Sequence, residues 1–300
     1  MTATTNNTVP PSSPAPTSLA APANRMSVPP PGGGRAAPSP SPTPSARGKL
    51  TFGTIQPRGQ SAVLYGGGGI GKTTLAMFAP GPVGLIDLEF SLPVLRPQLP
   101  EELDIRLIAN VESWKDMRDA LGADGWGDIK TIVIDSITKA EELCIAWVIK
   151  NVKHEKKEVV IERLEDYGWG RGLGHVYDEF LNFLADLDRH VRAGRNVILI
   201  AHDCTSTVPN PHGEDWLRYE PRLQAPASGK NSIRLKVREW ADHVLFMGYD
   251  VNVKDGKGEG VGSRTVYPCE LPHCMAKSRT TDVALPVGRN DASFWSNIIR

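Results

Sequence analysis

From about residue 60 to residue 205, short and almost unbroken apolar runs alternate with segments whose apolar residues recur every three or four positions. The runs are Ser61–Tyr65, Val83–Leu88, Asp104–Ala109, Thr131–Asp135 and Asn196–Ala201. Continuous apolar character, rather than alternation, belongs to strands buried on both faces, as in a parallel sheet covered by helices. Between the runs, Thr73–Phe78, Val111–Leu121 and Ile137–Val152 have helical spacing. Val176, Phe180, Phe183, Leu184, Leu187 and Val191 mark one face of a further helix. Strands alternating with helices predict an α/β domain, a mostly parallel sheet with helices on both faces and right-handed crossovers. After residue 204 the pattern changes. Asp242–Val253 and Arg264–Cys269 flank Lys254–Ser263, which holds Asp255-Gly256, and this predicts a C-terminal antiparallel hairpin.

Residues 1–48 stand apart. They hold twelve of the chain's 25 prolines, no acidic residue and no aromatic, and their only charges are Arg25, Arg35 and Arg47. Such a Pro/Ser/Ala-rich segment buries too little apolar surface to offset its ordering entropy, so a disordered tail is expected. Residues 49–300 then form one domain, with no internal repeat. The 34 basic and 34 acidic residues give zero net charge. That argues against coating nucleic acid by bulk attraction, while leaving room for a local basic groove. The longest apolar stretch, Leu143 to Ile149, falls far short of the roughly 20 residues of a membrane span. No secretory signal pattern opens the chain, and four cysteines do not make a disulfide framework. A cytoplasmic protein without a membrane partner is expected.

Gly66-Gly67-Gly68-Gly69-Ile70-Gly71-Lys72-Thr73 satisfies G-x-x-x-x-G-K-[ST] directly after a predicted strand and at the start of a predicted helix. Glycines let successive backbone N–H groups turn inward around a phosphate, and the helix N-terminus adds its positive end. Lys72 then reaches the β- and γ-phosphates, Thr73 offers its hydroxyl to Mg²⁺, and Thr74 continues the cradle. Asp135 ends an apolar strand about 60 residues on, the Walker B place for a carboxylate that holds the metal. A glutamate often follows that aspartate as hydrolytic base, but here the position is Ser136. Asp87 and Glu89 end the second strand, two residues apart, so a continuing strand puts both on one face with Glu89 farther out. His202 follows the fifth strand, at the rim where α/β sheets bind ligands. The plainer alternatives are a solvated carboxylate at Glu89 and a strand-capping imidazole at His202.

The segments YGGGGIGKTTLA, GLIDLEFSL, TIVIDSIT and VILIAHD stand in the order of the RecA-type ATPase core. Over about residues 60 to 300 the chain resembles phage-encoded AAA/RecA-like P-loop nucleotide-binding proteins, which include RecA-like single-strand annealing and recombination ATPases. The resemblance implies a three-layer P-loop NTPase fold and ATP hydrolysis with Mg²⁺. It also implies action on single-stranded DNA in recombination, annealing or replication, in the cytoplasm of a bacterial host. It makes Glu89 the base and His202 the sensor, where glutamine is usual. Lys277 and Arg279, in Ala276 to Arg279, fall where a basic side chain reaches a neighbouring subunit's phosphates, as a ring or filament of like chains would require; a solvated surface pair explains them as well.

Two segments are candidates for DNA. The basic run Lys150 to Lys157, followed by Tyr167 and Trp169, combines phosphate contact with base stacking, with Lys153, Lys156, Lys157 and Trp169 as the contacts. A helix end, where cations favour the dipole, accounts for the lysines equally. Asp203 to Ile233, with Arg218, Arg222 and Lys230, lies where the resemblance places a second DNA loop. Cys269, His273 and Cys274 suggest zinc, with His202 and Cys204 as further ligands, but no Cys-x-x-Cys pair completes such a site. Other functions fit less well. A GTPase would carry Asn-Lys-x-Asp, and a partitioning ATPase would carry lysine at Gly67. A small-molecule kinase, with Arg222 or Arg279 as its lid, and a non-DNA ATP-dependent assembly protein remain as alternatives.

Overall fold

The structure is a computed structural model that describes residues 50–156, 159–254 and 257–299. The expected tail at 1–48, Lys157 and Asp255-Gly256 lie outside the described residues. The chain divides into two units, Met1–Thr54 and Ile55–Arg300. Of the first, residues 50–54 are described, exposed and without regular structure.

The second unit starts with β1 (Ser61–Gly66), α1 (Lys72–Met77), β2 (Val83–Asp87), α2 (Leu92–Leu95), β3 (Ile105–Leu107) and α3 (Trp114–Gly122). It continues with β4 (Thr131–Asp135), α4 (Ile137–Asn151), α5 (Arg171–Arg192), β5 (Asn196–Val208) and β6 (Trp216–Pro221). It ends with α6 (Ile233–Trp240), β7 (His243–Lys254), β8 (Lys257–Tyr267) and β9 (Leu285–Pro286). The sheet order is β3-β2-β4-β5-β1-β7-β8-β9, with β6 paired to β5. The first six of these strands are parallel; β8, β9 and β6 are antiparallel to their neighbours.

Alternate residues of the buried strands fill two separate cores. Val63 and Tyr65 of β1 face α3, α4, α5 and α6, while Ala62 and Leu64 face α1 and the C-terminal Phe294, Trp295 and Ile298. The indole of Trp295 donates to the Leu75 carbonyl at 2.7 Å and fixes that last segment to α1. Helices therefore cover both faces, as the continuous apolar runs predict. This is the three-layer P-loop NTPase fold, in which β5 lies between β1, which leads into the phosphate loop, and β4, which ends in Asp135.

Several boundaries differ from the sequence reading. Helix α3 begins at Trp114, not Val111, because Ser113 and Asp116 form a reciprocal capping box. Strand β5 does not end near Ala201 but runs to Val208 and pairs with β6, so much of the presumed loop after Asp203 is sheet. Its outer half, Asp203-Cys204-Thr205-Ser206-Thr207, is polar because it leaves the core, and polarity hid it. The hairpin is longer than expected: Val251 to Lys254 pair with Gly260 to Lys257, where a Gly/Lys/Glu-rich composition suggested loop.

At the N-terminal edge of the parallel strands, buried Asp242 accepts from Arg58 at 2.7 and 2.9 Å and from the Ser61 N–H at 3.1 Å. Burial alone would raise this carboxyl. The Arg58 and Ser61 hydrogen bonds outweigh it and hold the group below the usual aspartate range. Asp242→Ala should cost roughly 2 kcal/mol at pH 7, since charged hydrogen bonds are lost but Arg58 and Arg279, which also pairs with Asp242 at 2.9 Å, regain water. A depressed folded value means the stabilisation is present above the unfolded value near 3.9 and lost as pH falls through the folded one. Urea titrations of wild type and variant should therefore differ most at pH 7, with the gap narrowing at pH 3 and below.

Candidate nucleotide-binding site

All six parallel strands end at one edge, and the loop between β1 and α1 rises there. Gly71, at the N-cap of α1, has φ 102°, a left-handed conformation that favours glycine. At Gly66 a Cβ would lie 2.2 Å from the Met247 carbonyl oxygen, so the adjacent β7 also demands glycine. Gly68, Gly69, Ile70, Gly71, Lys72, Thr73 and Thr74 line a cleft of about 860 Å³. Glu89, Ser91, Asp135 and His202 line it too.

Lys72 is buried, and its ammonium donates to the Gly66 and Gly67 carbonyls at 2.9 Å each. Burial pulls it below the ordinary lysine value, against the attraction of Asp135, Asp203 and Glu89. The Thr73 hydroxyl donates to Asp135 Oδ2 at 2.6 Å, and the Ser91 hydroxyl donates to the same oxygen at 3.2 Å. Burial raises the Asp135 carboxyl, and the carboxylates of Glu89 and Asp87 add to the rise. An all-oxygen set beside crowded negative charge suits Mg²⁺, which Thr73 and Asp135 would hold.

Glu89 does not continue β2. The strand stops at Asp87, and Phe90 has φ 54°. Asp87 accepts from the backbone N–H groups of Ser91 and Leu92, at 3.1 and 2.8 Å, and so anchors the start of α2. The expectation that Asp87 and Glu89 share a face fails because this turn separates them. Glu89 instead accepts from the Ser136 hydroxyl and pairs with His202 Nε2 at 2.8 Å. Burial alone would raise its carboxyl; the Ser136 and His202 hydrogen bonds, with the Lys72 charge, bring it below the usual glutamate value. It is therefore ionised at neutral pH. Ser136, at the place where a glutamate is common, holds the carboxylate that the second strand supplies.

The other candidate residues lie elsewhere. Lys277 donates to the Arg238 and Glu239 carbonyls at 2.8 and 3.3 Å, and Arg279 pairs with Asp242 at 2.9 Å. Both would have to give up these contacts to reach a second chain. Arg218 is held by Glu220 and by Glu270, the latter at 2.7 Å, within the β5–β6 region. Lys153 and Lys156 are exposed, and Trp169 is 99 % exposed at φ 50°. Tyr167, by contrast, is buried and donates to the Val148 and Val152 carbonyls at 3.1 and 2.6 Å, so it anchors rather than stacks. An Arg171–Glu155 ion pair at 3.0 Å joins the lysine loop to the segment that carries Trp169. Cys269 lies 3.3 Å from the Asp282 carbonyl, and Cys274 is buried. Among the described residues no group of three or more His, Cys, Asp or Glu could hold a metal, so the zinc arrangement does not assemble. No helix among the described residues is long and apolar enough to cross a membrane.

Among the cleft residues that escaped the sequence reading are Ser91, Tyr249, Arg264 and Arg289. No local signal marks them, because the strand order brings them to the loop.

The glycine loop, the Thr73–Asp135 pair and the strand order define a P-loop NTPase. The chain belongs to the AAA domain family, which matches residues 58–280. Among solved structures, a KaiC-like protein of the hyperthermophilic archaeon Pyrococcus horikoshii OT3 is similar at 17 % identity and a TM-score of 0.39. That match covers 78 % of this chain and 88 % of the other. A search of curated proteins finds no match.

Proposed function

We propose that the protein binds ATP with Mg²⁺, hydrolyses it with Glu89 as general base, and couples turnover to single-stranded DNA. The observation that carries the hydrolytic reading is the Glu89 carboxylate, fixed by Ser136 and His202 on the wall of the cleft that holds Lys72 and Asp135. An ionised carboxylate there accepts a proton from a water that attacks the γ-phosphorus. The bond to the β,γ-bridging oxygen breaks, and its electron pair leaves with ADP. Loop N–H groups and Lys72 stabilise the charge on the phosphates. Thr73 and Asp135 would hold Mg²⁺, which would supply neutralising positive charge to the phosphates. His202 orients Glu89 and stands where loss of the γ-phosphate would be felt.

The DNA reading is supported by Trp169, a large apolar ring left in solvent on a segment that the Arg171–Glu155 ion pair joins to the loop carrying Lys153 and Lys156. Exposed aromatics next to cations suit stacking on splayed bases and contact with phosphates. The motif order that resembles RecA-type ATPases gives the proposal its setting in recombination, annealing or replication. Affinity for an oligo-dT strand, titrated against salt, tests it. Each phosphate neutralised adds about −0.7 to the slope of log affinity on log salt. Lys153→Glu with Lys156→Glu should lower both affinity and slope. Trp169→Ala should cost about 1–3 kcal/mol with little change of slope, because stacking releases few counterions. Absence of single-strand binding at low salt, with ATP or a non-hydrolysable analogue present, would contradict the DNA reading.

A further inference from the structure

The cleft has two flanks, and the strand order assigns them different work. Glu89 follows β2, Asp135 ends β4 and His202 lies within β5, all on one side of β1. Tyr249 and Arg264 come from β7 and β8, and Gly288 and Arg289 follow β9, all on the other side. A triphosphate cradled over the end of β1 with its γ-group at Glu89 must direct its remaining end away from that group. The cleft of about 860 Å³ lies in the upper part of the usual range for small-molecule sites, about 300–1,000 Å³, so it has room beyond the phosphates.

The second flank is built, not incidental. Arg264 donates to the Ile70 carbonyl of the phosphate loop at 2.6 Å and to the Gly288 carbonyl at 3.0 Å. It thereby ties the loop to the C-terminal segment. The Val287 N–H donates to the Arg264 carbonyl at 2.8 Å and continues the β8–β9 pairing. Tyr249 sits directly across the β7–β8 ladder from Arg264. Among the described residues lining the cleft it is the only Tyr, Phe or Trp, and it is 53 % exposed. A half-exposed ring on a cleft wall is an apolar, π-faced surface of the kind a planar base covers.

We propose that this flank is the nucleoside subsite: the base lies against Tyr249, on a wall that Arg264 holds to the phosphate loop. The proposal rests on the nucleotide reading above, and the test separates the two. The probes are ATP and inorganic tripolyphosphate, the second lacking base and ribose. Binding of each to wild type, Tyr249→Ala, Tyr249→Phe and Lys72→Ala is measured calorimetrically on the full chain. Tyr249→Ala should bind ATP about 5- to 150-fold more weakly, the range for loss of one base–aromatic stack. It should bind tripolyphosphate as wild type does, and Tyr249→Phe should retain ATP because the ring remains. Lys72→Ala should weaken binding of both ligands, by about 10- to 150-fold. Unchanged ATP affinity in Tyr249→Ala would overturn the subsite. So would an equal loss of ATP and tripolyphosphate, which would mean a disturbed phosphate loop. Failure of wild type to bind ATP would overturn the nucleotide reading itself, and the subsite with it.

Discussion

Glu89→Gln should keep ATP bound and slow its hydrolysis by about 10²–10⁴-fold, the usual cost of losing a general base. Glutamine is nearly isosteric, and its carbonyl oxygen can still accept from Ser136 and face His202, so the wall of the cleft stays in place. What it cannot do is take a proton. The alternative base is excluded by geometry: Asp87 is committed to the backbone of Ser91 and Leu92 at the start of α2. Filter binding of labelled ATP, run beside phosphate release on the same preparation, checks both halves of the prediction. Normal turnover in the variant would place the base elsewhere.

Lys72→Ala should weaken ATP binding by about 10- to 150-fold, the equivalent of one charge-assisted hydrogen bond of about 1.5–3 kcal/mol. The ammonium contacts loop carbonyls rather than core side chains, and its burial works against its charge. Removing it therefore takes a cation from the cleft without opening a cavity in either core. Thermal melting should change little while calorimetric ATP affinity collapses. Loss of affinity together with loss of the fold would mean that Lys72 is structural.

How far the sequence could be read depends on the distance over which each feature is encoded. The phosphate loop is written in eight consecutive residues, and Asp135 is marked by the strand it ends, so both were legible. Glu89 lies on a turn that no periodicity reveals; its place after the second strand made it a candidate, and only the resemblance named it the base. Ser136 looked like a missing base, because its hydroxyl meets Glu89 from a strand 47 residues away. Tyr249 and Arg264 are remote from the loop in sequence and reach it only through the β1–β7 pairing and the β7–β8 ladder. The outer part of β5 and β6 failed for a different reason. Their pairing lies beyond the core, where an apolar pattern is not required.

Phosphate release from wild-type protein and Mg²⁺-ATP, with and without single-stranded DNA and with Lys72→Ala alongside, tests the central claim most directly. The account predicts release that needs Mg²⁺, rises when the DNA is added and is lost in the variant. Tight ATP binding with no phosphate released under any of these conditions would contradict it, and would leave an ATP-binding assembly protein in place of an ATPase.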